Sequence, residues 1–326
     1  MLVLTRADLE RVLSPLDVVE AMAAAFRRYG NGRSTVPPRL TTPIGRDGVL
    51  LTMPAAFSDG AERGLGVKQV SVYPDNRARG HPTLYATYVL MDGASGEPLA
   101  LLEGTYLTGI RTGATSALAA RLLARGDAHR VACFGAGVQA RFQLLCLAAV
   151  RPLERVVVIG RNPQRARAFA ESMSETLRVP VESGDDPHRA AREAHLIVCA
   201  TTSPTPVVFG ADLSPGTHVD AVGAFRATER ELDGEAIRRA RLVVDTYAGA
   251  LEEAGDVLIP LRDGSIDKAH VAAELAEVVT GRRAGRTSDA EITVFKSVGF
   301  ALEDLAAARL AYDRARAHGI GKEVNL

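Results

Sequence analysis

The run Arg130-Val131-Ala132-Cys133-Phe134 leads straight into Gly135-Ala136-Gly137-Val138-Gln139-Ala140, an apolar strand that turns into a helix through a G-x-G-x-x-A pattern. Nothing else in the chain restricts its fold as much. A glycine-rich turn in that context belongs to a βαβ unit: the first Gly makes the turn, the second lets backbone approach a pyrophosphate, and the Ala lets helix and strand pack closely. The helix start then presents unpaired N–H groups to the anion. Further apolar runs at 156–159, 196–200, 218–222 and 242–244 are separated by helical stretches such as 163–177 and 233–240. That alternation indicates a parallel sheet with helices on both faces, a doubly wound α/β domain. Gly135, Gly137, Val138 and Gln139 are therefore candidate cofactor-binding residues.

The second strand points to the cofactor. An acid at its end would bind the ribose 2′-OH of NAD, whereas an Arg accommodates the 2′-phosphate of NADP. Here 156–159 ends in Gly160-Arg161-Asn162, with no carboxylate before Glu171. NADP(H) is expected over NAD(H), held by Arg161 and Asn162 with Arg165 assisting. Ala200-Thr201-Thr202-Ser203 and Ala221-Val222-Gly223 fall at strand ends on the edge where open α/β sheets bind ligands. Thr201, Thr202, Val222 and Gly223 are expected to line the ribose and nicotinamide.

The first third reads differently. Ser14-Pro15 is an N-cap followed by Pro at the first helical position, and Val18, Val19, Met22 and Phe26 recur at helical spacing up to Gly30. Short β-prone runs follow at 48–53, 65–73 and 83–91, broken by Gly and Pro. Alternation along 66–72 predicts a half-buried strand whose polar face carries Lys68. An Ala/Leu helix spans 114–124, and the last helix, 300–317, presents Leu302, Leu305, Ala306 and Leu310 on one face.

Composition narrows the partners. Lys+Arg equals Asp+Glu at 39 each, so the formal net charge of +0 gives no global drive towards nucleic acid or anionic membrane. Aromatic content of 5% with no Trp disfavours stacking platforms for single strands. Three widely spaced cysteines suggest neither a disulfide framework nor a metal site, and no apolar run approaches membrane-spanning length. A small-molecule partner in the cytoplasm is expected.

Motifs spread over essentially the whole length then carry a family resemblance: Val36-Pro37-Pro38-Arg39, Met53-Pro54, Gly66-Val67-Lys68, Pro82-Thr83, Arg111-Thr112-Gly113-Ala114-Thr115-Ser116-Ala117, Gly135 to Gln139, and Thr293-Val294-Phe295-Lys296-Ser297-Val298-Gly299 leading into Ala301-Leu302-Glu303-Asp304. In this order they resemble the ornithine cyclodeaminase and mu-crystallin family. The resemblance implies a homodimer. It also implies a Rossmann domain over 113–299 and an α+β substrate-binding and dimerisation domain built from 1–112 and 300–326. Arg39 and Arg111 match positions that clamp the carboxylate of an amino or imino acid. Lys68 matches a lysine facing the reacting carbon, and Thr83, Thr112, Lys296 and Ser297 match positions near the nicotinamide or phosphates.

The departures matter as much. Cyclodeaminases carry an acid where Phe225 stands and a Glu where Leu51 stands; neither replacement transfers protons. Together with Arg161 these changes point to the branch that resembles ketimine reductases and archaeal alanine dehydrogenase. The expected reaction is NADPH-dependent reduction of a cyclic ketimine carboxylate, Δ1-pyrroline-2-carboxylate or Δ1-piperideine-2-carboxylate. Lys68 would be the proton donor, and Leu51 and Phe225 an apolar wall. Glu103, Asp304 and Lys296 are candidate accessory proton handlers. The alternatives are an alanine dehydrogenase-like enzyme, a cyclodeaminase, and an idle NADPH-binding protein.

Overall fold

The computed structural model describes residues 1–45 and 48–325, with backbone only at 77. The chain forms two compact units, Met1–Arg111 with Phe300–Leu326, and Thr112–Gly299. The division falls inside the helix Gly104–Leu123, which begins ten residues before the run the sequence marks as helical, directly after the strand Pro98–Glu103.

In the second unit eight parallel strands form one sheet. Its order is Val181–Gly184, Arg155–Ile159, Arg130–Phe134, Leu196–Cys199, His218–Ala221, Thr293–Lys296, Arg241–Val244, Val271–Glu274. Strand order reverses beside Arg130–Phe134, which pairs with Arg155–Ile159 on one side and Leu196–Cys199 on the other. Apolar clusters cover both faces. Ala140, Leu144, Ala166, Ala170 and Met173 lie on one, and Leu213, Ala236, Ile237 and Val257 on the other. This is the doubly wound Rossmann arrangement the alternation implied.

The first unit is α+β. Its sheet runs Lys322–Glu323, Leu2–Leu4, Pro98–Glu103, Leu84–Asp92, Glu62–Val72, Gly48–Asp59, Ser34–Thr35, with Leu40–Ile44 also paired to Gly48–Asp59. The helices Pro15–Gly30 and Ala301–His318 pack together, and the latter also packs on the three long central strands. Ser14 caps the first helix by accepting from the Asp17 N–H, with Pro15 at its start. Val18, Val19, Met22 and Phe26 are fully buried. On the last helix the buried stripe is Leu302, Leu305, Ala308, Ala311 and Ala315, together with Glu303 and Asp304. Ala306 and Leu310 are only half-buried, so the four-residue apolar face expected there is incomplete.

Among the described residues no helix is long and apolar enough to cross a membrane, and no cluster of His, Cys, Asp and Glu is set to hold a metal.

Candidate functional site

Lys68 does not lie on a polar face. Along Glu62–Val72 the buried positions are Gly64, Gly66, Lys68 and Val70, while Gln69 is exposed. Period-two alternation puts Lys68 with Val70 on the face under the helix Ala301–His318. Its cross-strand neighbours Met53 and Tyr88 are buried too. A buried ammonium needs a partner, and Asp304 supplies it: Lys68 Nζ lies 2.7 Å from Asp304 Oδ2. The other oxygen, Oδ1, accepts from Arg111 Nε at 2.9 Å, and Arg111 Nη1 donates to Glu303 Oε2 at 2.6 Å.

Two cations and two carboxylates therefore form one buried set. Asp304 and Glu303 are 0% exposed, Lys68 1% and Arg111 4%. Burial, followed by the positive charge of Arg111, pulls the Lys68 pKa down to about 8; Asp304 and Glu303 oppose the shift. Burial also acts to lower the Arg111 pKa, but the two acids outweigh it and hold the guanidinium protonated. The arrangement keeps a lysine able to give or take a proton near neutral pH.

The other expected residues of this unit lie nearby in sequence register. Leu51 pairs with Val70, and Met53 with Lys68, so Leu51 shares the lysine's face of the sheet one pair along. Arg39 is half-buried just before Leu40–Ile44, whose Leu40 pairs with Thr52. Thr83 is exposed, and its carbonyl accepts the Tyr73 N–H at 2.8 Å. Glu103 sits at the start of the helix Gly104–Leu123. Its two oxygens accept the Thr105 and Tyr106 N–H groups, both at 2.8 Å, and cap the helix Gly104–Leu123.

In the second unit the glycine turn fits a dinucleotide phosphate. Gly135 has φ +116°, and a Cβ there would lie 2.4 Å from the Ala200 carbonyl oxygen, so only glycine serves. This also shows that the ends of Arg130–Phe134 and Leu196–Cys199 meet where the strand order reverses. A Cβ at Gly137 would meet nothing within 4 Å. Gly137 caps the helix Val138–Val150 without a side-chain hydrogen bond, and Val138 is 67% exposed. Open space at the start of this helix is what an incoming pyrophosphate requires. Gln139 is half-buried and Ala140 fully buried against the strand.

Asn162 caps the next helix, accepting the Arg165 N–H at 2.9 Å. Arg161 and Arg165 are exposed, with no carboxylate partner among the described residues. Thr112 and Val222 are half-buried and Thr202 exposed. Phe225 is 40% exposed, with the Arg226 guanidinium 5.8 Å from its ring centre.

Lys296 and Ser297 are both buried and paired within the protein. Lys296 is 0% exposed, its Nζ 2.8 Å from Asp256 Oδ2 and 2.5 Å from the Ala224 carbonyl oxygen. The Ser297 hydroxyl donates to Asp245 at 2.9 Å. Both brace the carboxyl edge of the sheet from inside.

Sequence alone does not mark Glu303 and Asp304 as partners of Arg111 and Lys68, because acids in a helix's first turn ordinarily serve the helix dipole. Their adjacency to the 293–299 motif was the available signal.

A family model described as "Ornithine cyclodeaminase/mu-crystallin family" matches residues 1–319. A Delta(1)-pyrroline-2-carboxylate reductase of Bacillus cereus is 39% identical over 326 residues, covering 99% of each chain. Among solved structures, the Thermococcus litoralis Delta(1)-pyrroline-2-carboxylate reductase in complex with NADH and L-proline is 43% identical with a TM-score of 0.96, covering 99% of this chain and 100% of that one. An archaeal alanine dehydrogenase dimer with bound NAD is 32% identical with a TM-score of 0.93, covering 100% and 99%.

Proposed function

The chain belongs to the ornithine cyclodeaminase/mu-crystallin family, and from that premise we propose that it is an NADPH-dependent oxidoreductase reducing the C=N bond of a cyclic ketimine carboxylate, Δ1-pyrroline-2-carboxylate or Δ1-piperideine-2-carboxylate, to the cyclic amino acid. The observation that carries this reading is the buried lysine of low basicity that Asp304 pairs with and links to Arg111.

Reduction of C=N adds a hydride at carbon and needs a proton on nitrogen. A reduced nicotinamide dinucleotide, its pyrophosphate held at the glycine turn, would supply the hydride. Lys68, protonated below about pH 8, gives or holds the nitrogen's proton. Arg39 and Arg111 hold the substrate carboxylate, a task suited to a planar guanidinium. Glu303 and Asp304 hold Arg111 in one orientation and balance its charge beside Lys68. Leu51 and Phe225 are each apolar where cyclodeaminases carry an acid. Because neither carries a proton, ring closure of ornithine with loss of ammonia is disfavoured.

The alanine dehydrogenase relatives favour one second reading, an open-chain imino acid made from pyruvate and ammonia. A reduction panel decides between them. NADPH oxidation with five- or six-membered ketimines supports the first reading, and oxidation only with pyruvate and high ammonia supports the second. Ammonia release from ornithine without net NADPH use would overturn both.

The unpartnered Arg161 and Arg165 support NADPH as the reductant, with the 2′-phosphate as their counter-ion. Arg161→Asp is expected to lower the NADPH-to-NADH ratio of kcat/KM by about 10–100-fold, the worth of charge-assisted hydrogen bonds to a phosphate. An unmoved ratio, with equal use of both cofactors by the parent enzyme, would refute the preference. The dimeric alanine dehydrogenase supports a homodimer here, checked by light scattering.

A further inference from the structure

Glu231, Asp256 and Lys296 are each 0% exposed and form one buried cluster in the second unit. Nothing in the proton chemistry above uses Glu231. Yet its oxygens are fully occupied: Oε1 accepts the Thr201 N–H at 2.7 Å, and Oε2 accepts the Gly223 and Ala224 N–H groups at 2.6 and 3.3 Å. Thr201 follows the strand Leu196–Cys199, and Gly223 follows its neighbour His218–Ala221. One carboxylate thus joins the loops that leave two adjacent strands at their carboxyl ends.

The joint is braced from behind. Asp256 Oδ1 accepts both the Glu231 and Leu232 N–H groups at 2.8 Å. Lys296 pairs with Asp256 and donates to the Ala224 carbonyl. The fit is tight: a Cβ on Gly223 would lie 2.3 Å from the Thr201 carbonyl oxygen and 2.4 Å from Glu231 Oε1. Burial pushes the Glu231 pKa up, with Lys296 opposing. Keeping an acid in so dry a place is costly, and solvent would satisfy exposed loop amides at no such cost. What the buried carboxylate adds is a fixed spacing between the loops.

We propose that Glu231 is a positioning residue that sets the separation of loops 200–203 and 221–224 and so shapes the nicotinamide half of the cofactor site. This rests on the reading that the second unit binds a nicotinamide dinucleotide. In a doubly wound sheet the two mononucleotide halves bind on opposite sides of the reversal point. The adenosine half therefore belongs to Gly135–Arg165, and the nicotinamide half to the strands that Glu231 ties.

The test is calorimetric titration of the full chain, unaltered and as Glu231→Gln, with NADPH and with 2′,5′-ADP, which lacks the whole nicotinamide mononucleotide half. Gln offers one accepting oxygen, and its amide hydrogens confront backbone N–H donors. The variant is expected to bind NADPH roughly tenfold more weakly, the loss of a charge-assisted hydrogen bond, while binding of the fragment is unchanged. Fragment binding also reports that the unit is folded. Equal weakening of both ligands would make Glu231 a residue of general stability and overturn the assignment, as would unchanged NADPH binding. If the unaltered chain bound neither ligand, the dinucleotide reading itself would fail.

Discussion

Lys68→Met is expected to lower kcat for C=N reduction by roughly a thousandfold, within the range of about 10²–10⁴ for a positioned proton donor, while leaving the Kd for NADPH unchanged. The loss should be in kcat more than KM, because Arg39 and Arg111 still hold the carboxylate. The parent enzyme's kcat/KM for reduction should fall above about pH 8, where Lys68 gives up its proton, and the variant should lack that limb. Met also leaves Asp304 Oδ2 buried without its cation, at a cost of about 3–5 kcal/mol. The double variant Lys68→Met/Asp304→Asn removes one positive and one negative charge, so its melting temperature should recover without its activity. Near-normal kcat in the single variant would remove Lys68 from the chemistry.

The depressed value also has a signature in stability. Lys68 has a folded pKa of about 8 against an ordinary 10.5, so between these pH values the unfolded chain binds a proton that the folded chain has released. Stability attributable to this residue therefore rises with pH across that window and is flat below it. Denaturant titrations at pH 7.5 and pH 10 should show this rise in the parent, and its absence in Lys68→Met.

The Rossmann unit was legible because its signals are local. The run 130–140 contains a whole strand, the turn and a helix start, and Ser14-Pro15 likewise declares a helix within two residues. What escaped has two physical causes. Strands such as Leu2–Leu4, Val181–Gly184 and Val271–Glu274 are three or four residues long, too short for a period of two to register. Lys68 was placed on the wrong face because a lysine in an alternating run reads as solvated unless a counter-ion is known. That counter-ion comes from the far end of the chain: Asp304 meets Lys68 only once the helix Ala301–His318 lies across the strands. Glu231 escaped for the same reason, since its partners Thr201 and Gly223 belong to other loops. Neither these charge pairings nor the burial of their residues follow from local sequence alone.

Asp304→Asn should separate a tuning role from a merely structural one. The parent set balances Lys68 and Arg111 against Glu303 and Asp304. The variant keeps both cations and one acid, so the lysine loses the charge that opposes its burial and its repulsion by Arg111. An opposite charge at this range shifts a pKa by about 1–3 units. The alkaline limb of kcat/KM should therefore move from about 8 to lower pH by at least about one unit. Activity at pH 8 should collapse while part of it returns at pH 6. Affinity for the anionic substrate should hold or improve, because the site becomes more positive, so kcat falls while KM does not rise. Stability should drop by about 3–5 kcal/mol, the cost of breaking a buried pair, and Glu at position 304 should restore the limb more fully than Asn. If the variant lost activity evenly across pH with the limb still near 8, Asp304 would only hold the helix to the sheet. The proton chemistry would then rest on Lys68 and Arg111 without it.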